Sequence, residues 1–253
     1  MKKYLSNKIV LNIVGIILFC ALWQILSFII AEDTFIFPGP FKTIKEAINL
    51  LGDSYIYKCL YETLFRMIGG YFISFTLAFI IGTIAGNSER IEQLLKPTIT
   101  IFRSVPTATL VYLFLVVAGA RLTPLFIVIL VSFPILYESV LGGIKSTPED
   151  LLEASMIDNS SELNTNIKVR IPLAIPYIVV GISSSFGLSL KIEIMAEVIT
   201  GYTRLGLGSA ILAAQRSDPT NMVPVFAYSL IAIIAMLALD SISSLIQQKV
   251  GKN

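Results

Sequence analysis

The sequence predicts an all-α integral membrane protein with six transmembrane helices. Two observations support this. Of 253 residues, 55% are hydrophobic and 14% charged, with a mean hydropathy of +0.80, whereas a soluble domain carries about 25% charge. Six runs free of Asp, Glu, Lys and Arg also reach or approach the roughly 20 apolar residues that a spanning helix needs. The composition excludes disorder. A net charge of +2 offers no footprint for nucleic acid.

The first run, 9–31, follows Lys2, Lys3 and Lys8. It is longer than a signal-peptide core and no A-x-A site follows, so it reads as an uncleaved helix. The second, 67–88, contains Gly82-Thr-Ile-Ala-Gly86, a spacing suited to close helix packing. The third, 104–120, and the fourth, 122–137, are separated only by Arg121. Joined, they would make a helix of about 50 Å, too long for a hydrocarbon core of about 30 Å. The stretch Gly119–Pro124 therefore predicts a tight hairpin, and the fourth span continues to about 142. The fifth span is 171–190 and the sixth 219–239, in a single transmembrane domain over 1–253. With the N-terminus inside, inner segments hold 11 Lys and Arg and outer segments 8. This small excess agrees with cytoplasmic termini under the positive-inside rule, and a second argument is needed to fix the orientation.

Histidine is absent, which removes the Ser-His-Asp and Cys-His triads, the H-E-x-x-H zinc site and the usual haem ligation. Cys20 and Cys59 cannot alone build a metal site, and one lies inside an apolar run and the other outside, against a disulfide. There is no P-loop: Gly142-Gly-Ile-Lys-Ser-Thr147 has the wrong spacing. The chain reads as no enzyme, with no catalytic residue, no metal site and no cofactor of its own.

Three connecting segments carry information. In 32–66, Phe37-Pro-Gly-Pro40 is a turn, and Ile44, Ile48 and Leu51 then recur at helical spacing among Lys42, Lys45 and Glu46. This predicts a short amphipathic helix, on the membrane surface or packed as a connector. In 191–218, Lys191, Glu193 and Glu197 end the fifth span. Gly201, Gly206 and Gly208 then allow tight turns and close approach, in a re-entrant or surface loop. In 145–170, Thr147 is placed to cap a helix with Pro148 at its first position. Asn159 is a candidate helix stop, and a second short helix follows at 162–169. Glu138 is costly against lipid and is expected to face the inner mouth or this loop.

This last segment resembles the EAA coupling motif of ATP-binding-cassette importer permeases. Glu153-Ala154-Ser155, three residues, Asn159, nine residues, Val169, one residue and Ile171-Pro172 reproduce its spacing. Ser155 replaces the second Ala, Asn159 the Gly, Val169 the Ile and Ile171 the Leu. Phe35–Pro40, Tyr61–Gly70, Arg103–Pro106, Phe133-Pro134 and Gly206–Gly208 are similar to runs in permeases of the nitrate, sulfonate and taurine type. The resemblance implies a type I ABC importer permease fold in the bacterial inner membrane, with 145–170 in the cytoplasm. It further implies a second copy of the chain, a pair of ATPase subunits carrying ATP and magnesium, and an extracytoplasmic binding protein. Nitrate, sulfonates, taurine and aromatic vitamin precursors are the solutes of such systems.

In that scheme Glu153, Ala154, Ser155, Asn159, Val169, Ile171 and Pro172 couple to the ATPase. The polar stripe of span five makes Ser185 and Ser189, one turn apart, candidates for lining the pathway. Glu193 and Glu197 join them. The alternatives are serines that pack or bond back to their own helix and glutamates solvated at the outer face. A secondary transporter or channel working without ATP is the rival function. Its marks, mid-membrane charges and paired broken helices, are not evident in the sequence.

Overall fold

The computed structural model describes residues 2–30, 36–157, 161–201 and 205–250, where every regular element is helical. In chain order these are α1 (Lys2–Ile30), α2 (Pro40–Leu51), α3 (Ser54–Gly86), α4 (Glu89–Ser104), α5 (Thr107–Lys145), α6 (Glu149–Ile157), α7 (Glu162–Thr165), a π-turn (Asn166–Arg170), α8 (Ile171–Thr200), α9 (Leu207–Ser217) and α10 (Val223–Val250). Among the described residues, five helical stretches are long and apolar enough to cross a membrane, in α1, α3, α5, residues 162–200 and α10.

The chain forms two compact units, Met1–Lys58 with Ala210–Ile233, and Cys59–Ser209 with Ile234–Asn253. In the first, Trp23 of α1 donates its indole N–H to the Pro38 carbonyl at 3.0 Å, and Ser27 donates to Phe37 at 2.7 Å. Phe226 meets Trp23 and, edge-on, Phe37. α2 is the expected amphipathic helix, seated through Pro40, Thr43 and Ala47. Ile44, Ile48 and Leu51 are exposed, and so is Phe41.

In the second unit, the register of the long helices follows from paired positions. A Cβ on Gly82 would meet Val140, and one on Gly86 would meet Ile144. The GxxxG spacing is therefore a packing groove, and α3 runs parallel to the second half of α5. Gly143 abuts Ala174, and Ser132 shares a hydrogen bond with Ser189, so α8 runs antiparallel to that half. Ser183 donates to the Ser243 carbonyl, and Asp240 lies over Gly187, so α10 runs antiparallel to α8. Such alternation is what consecutive crossings require.

The hairpin predicted at Gly119–Pro124 is made at a single residue. α5 is helical on both sides of Gly119, whose φ of 74° and ψ of 163° break it. Phe114 and Phe126 would lie about 18 Å apart along a straight helix, yet their rings stack 5.5 Å apart. Leu110 and Val111 likewise pack with Ile127. The chain reverses at Gly119 because glycine tolerates positive φ without a Cβ clash.

The expected third span needs correction. Residues 107–118 are about 18 Å long, short of the roughly 30 Å core. α4 supplies the rest of that ascent, with a break at the extended Val105 before Pro106. Lys145–Glu92, Arg103–Glu138 and Phe114–Phe126 each straddle residue 119 almost symmetrically. α4 and the first arm of α5 therefore run as one broken helix against the second arm. Counting charge-free residues stopped at Arg103, whose charge Glu138 balances.

Other boundaries also move. α3 begins well before residue 67, and α8 runs ten residues past 190. The second short helix expected at 162–169 is instead continuous with α8. Pro172 removes an N–H and crowds the carbonyl four residues back. A π-turn absorbs this, with Ile171 N–H donating five residues back to Asn166. Thr147 does not cap α6, which begins at Glu149; its hydroxyl donates back to Ile144 at 3.0 Å. α9 lies within the stretch expected to be a loop. Cys20 and Cys59 are both free thiols.

Candidate functional site

α8 carries candidate residues at both ends. At its C-terminal end, Glu193 and Glu197 sit one turn apart on the face toward α3, both fully buried. Arg66 of α3 reaches between them. Its Nε donates to Glu193 Oε1 at 3.3 Å, and one Nη donates to Glu197. The same Nη donates to the Leu205 carbonyl at 2.8 Å, and the other pairs with Glu62 at 3.4 Å. Thr63 donates to Glu197 at 2.9 Å and accepts the Leu207 N–H at 2.8 Å.

The returning chain closes this site. α8 stops at Gly201, left-handed at φ 62°. The Gly208 N–H, in the first turn of α9, then donates to Glu197 Oε2 at 2.8 Å. A carboxylate there satisfies free helix N–H groups and meets the positive end of the helix dipole. A Cβ on Gly208 would fall 2.4 Å from the Ile194 carbonyl, and one on Gly206 would fall 2.6 Å from Glu197 Oε1. Only glycine lets this backbone approach so closely.

The alternative that Glu193 and Glu197 are solvated at the outer face is therefore corrected: an arginine contributed by another helix allows their burial. Arg66 and Thr63 were missed as site residues. Their signal was present, because Tyr61–Gly70 and Gly206–Gly208 both carry the family resemblance and both meet Glu197. The Glu193 Oε2 has no hydrogen-bond partner.

One turn and two turns below Glu193, Ser189 and Ser185 are also buried. Ser185 shares a 2.8 Å hydrogen bond with Tyr71 of α3 and donates to Gly181. Ser189 shares one of 2.8 Å with Ser132 of α5 and donates back to Ser185. The stripe thus joins α8 to both neighbours in this conformation.

The N-terminal end of α8 meets the segment that resembles the coupling motif. Glu153 is exposed on α6, and Ser155 is half-buried. The Thr165 hydroxyl donates to Ser155 Oγ at 3.2 Å, which holds α6 against α7. Val169 lies half-buried in the π-turn, and Ile171 and Pro172 open α8. Asn159 and the side chain of Ala154 lie outside the described residues. Leu163 and Ile167, one turn apart, are both exposed, and the motif reading missed them. Glu138 pairs with Arg103 of α4 instead of reaching the loop.

Among the described residues, no group of three metal-ligating side chains occurs. The arrangement is one of helix contacts, ion pairs and an exposed apolar edge.

A family model described as binding-protein-dependent transport system inner membrane component matches residues 74–252. The putative aliphatic sulfonates transport permease protein SsuC of Bacillus subtilis (strain 168) is 25% identical over 233 residues, covering 92% of this chain and 83% of that protein. The taurine transport system permease protein TauC of Escherichia coli (strain K12) is 24% identical, with coverage of 92% and 86%. Inward facing conformations of the MetNI methionine ABC transporter share the fold, at TM-score 0.65 and 16% identity, over 78% of this chain and 96% of that one.

Proposed function

We propose how this chain, which belongs to the family of binding-protein-dependent transport system inner membrane components, performs its part of solute uptake. It is the membrane-spanning permease of an ABC importer of the nitrate, sulfonate and taurine type. In our reading two copies form the pathway. An extracytoplasmic binding protein delivers a small solute at the Glu193–Glu197 end. A separate pair of ATPase subunits, which hold ATP and magnesium, docks on residues 145–170 in the cytoplasm. Both termini lie on that cytoplasmic side of the bacterial inner membrane.

The observation that carries this reading is the helical path from Glu162 to Thr200, unbroken except for the π-turn. At 1.5 Å per residue it is about 58 Å long. One end meets the coupling segment, and the other holds both buried glutamates. A push at Glu153, Ala154, Ser155, Asn159 and the exposed Leu163 and Ile167 therefore reaches the far end through one stiff element. Val169, Ile171 and Pro172 form the joint. As the helices part, the seam of Ser185, Ser189, Glu193 and Glu197 opens toward the pathway.

The test is co-purification. Ile167→Asp should abolish recovery of the ATPase subunit with the tagged permease while leaving the permease in the membrane, and Ala154→Trp should do the same by overpacking the contact. Recovery of an intact, ATP-driven complex from both variants would remove the segment from the interface.

A further inference from the structure

The short helix α2 has three sides of different character. At 3.6 residues per turn, Pro40, Thr43 and Ala47 share one side, and all three are buried. Next to them, Phe41, Ile44, Ile48 and Leu51 fall within an arc of about 80°. All four are exposed, Phe41 by 79%. Lys42, Lys45 and Asn49 lie opposite the buried side and are exposed as well. Four large apolar side chains in one exposed row mark a surface that something covers.

The turn before α2 fixes its height. The apolar stretch of α1 runs from Val10 to Ile30. At 1.5 Å per residue it is about 30 Å long, the thickness of a hydrocarbon core, so its ends mark the two surfaces of that core. Ser27 and Trp23 hold the carbonyls of Phe37 and Pro38. They lie about 5 and 10 Å below the Ile30 end. α2 thus starts at the depth to which interfacial helices bury their apolar faces, about 5–10 Å.

That turn is also built for a place without water. Pro38 and Pro40 bring no N–H. The Phe37 carbonyl accepts from Ser27 at 2.7 Å and the Pro38 carbonyl from Trp23 at 3.0 Å. The Gly39 carbonyl accepts both the N–H of Thr43, at 3.2 Å, and its hydroxyl, at 3.1 Å. Three successive carbonyls thus find donors in the protein, as irregular backbone must at membrane depth and need not in water. Phe37 itself lines an apolar groove of about 640 Å³ with Leu22 and Leu26 of α1 and Phe226 and Leu230 of α10.

We propose that α2 is an interfacial anchor, with its row of Phe41, Ile44, Ile48 and Leu51 immersed in the phospholipid leaflet at the Ile30 end of α1. The height set by Trp23 and Ser27 brings the row level with the acyl chains and glycerol groups of that leaflet. Lys45 borders the row, where its stem can lie on apolar surface and its ammonium can reach headgroup phosphates. Lysine is depleted where protein meets protein, so the bordering lysine favours lipid over a second copy of the chain. Only the naming of this leaflet as the outer one rests on the permease reading above.

Spin labels test this. Phe41→Cys, Ile44→Cys, Ile48→Cys and Leu51→Cys are made one at a time in the full chain carrying Cys20→Ser and Cys59→Ala. Lys45→Cys and Asn49→Cys provide the contrast. Each is labelled with a nitroxide and reconstituted in vesicles of phosphatidylethanolamine and phosphatidylglycerol. All six replaced side chains are exposed, so each variant should unfold at the temperature of the cysteine-free chain. Oxygen, which concentrates among acyl chains, should relax the first four labels several-fold more than a water-soluble nickel chelate does. The ratio should reverse at Lys45 and Asn49. Greater access for nickel at the first four positions overturns the proposal, because the row is then in water. Poor access for both reagents overturns it in favour of protein cover, and spin–spin broadening would name the second copy as that cover. Either failure leaves the permease reading standing, because that reading is tested by ATPase co-purification.

Discussion

The two ends of the second unit use charge in opposite ways. At the Glu193–Glu197 end, two fully buried carboxylates meet one largely buried guanidinium, and the returning chain donates onto them. At the Lys145 end, the Lys145–Glu92 and Arg103–Glu138 ion pairs stay partly exposed, and Leu163 and Ile167 are exposed. The first end is closed by the chain's own residues, and the second is left for other molecules. A buried ion pair stabilises little net, because desolvation offsets its attraction, yet breaking one is costly. The closed end is therefore a point that holds firmly until all its parts separate together. The open end can exchange partners at small cost.

The largest effect should come from unbalancing the closed end. Arg66→Leu leaves two carboxylates buried without a cation, and the expected loss is about 3–5 kcal/mol, read as a lower unfolding temperature in detergent. Adding Glu193→Gln and Glu197→Gln to the same variant should recover most of that loss, because the buried charge is then gone. If Arg66→Leu alone unfolds like the wild type, the cluster is hydrated and the contrast between the ends disappears.

Packing through glycine comes next. A side chain at Gly82 would place its Cβ 2.9 Å from Val140 Cβ, and one at Gly86 2.7 Å from Ile144 Cβ. Gly82→Val should therefore cost about 1–3 kcal/mol by overpacking. Gly69, on the same helix, has open space where a Cβ would go. Gly69→Ala should be neutral or stabilising, since alanine favours the helix by up to about 1 kcal/mol. Equal losses at both positions would show that α3 is sensitive everywhere and that the groove has no special place.

Much of this could be read from the chain. The apolar runs fell on the long helices, apart from the third run, which is split between α4 and α5, and Gly119–Pro124 located the reversal, because both depend on local composition. GxxxG gave the correct contact because small residues at that spacing leave few other uses. The failures came where a distant residue changes the meaning of a local one. Arg103 looked like a span end until Glu138, thirty-five positions away, balanced it. Glu193 and Glu197 looked as though water could hold them until Arg66 arrived from α3. The π-turn was missed because proline signals a helix break, whereas here a widened turn carries the helix past Pro172. The resemblance of 145–170 to the coupling motif rested on spacing, and the exposure of Leu163 and Ile167 beside it emerged only from the fold.

A smaller effect distinguishes the two roles open to the serine stripe. Ser189→Ala keeps the packing volume and removes the hydroxyl shared with Ser132. The expected stability loss is about 1 kcal/mol. If the stripe also meets solute when the helices part, uptake should fall by more than that loss explains, with an altered KM. A stability loss with unchanged uptake would assign Ser185 and Ser189 to packing.

The smallest effect should lie at the open end. Arg103 and Glu138 pair across α4 and α5 with about half of each side chain exposed. Such a pair is screened and spends side-chain entropy to form, so Arg103→Ala should change stability by only about 0.5 kcal/mol. Its sensitivity to salt should also be opposite to that of the closed end. Raising ionic strength shortens the screening length, which erases the small difference between Arg103→Ala and wild type. It should leave the Arg66→Leu loss nearly intact, because buried charges are screened far less. Unfolding curves of the two variants at low and high salt would show this as converging and parallel shifts respectively. A large, salt-insensitive loss for Arg103→Ala would mean that this face is covered by other protein in the assembled permease and is not aqueous.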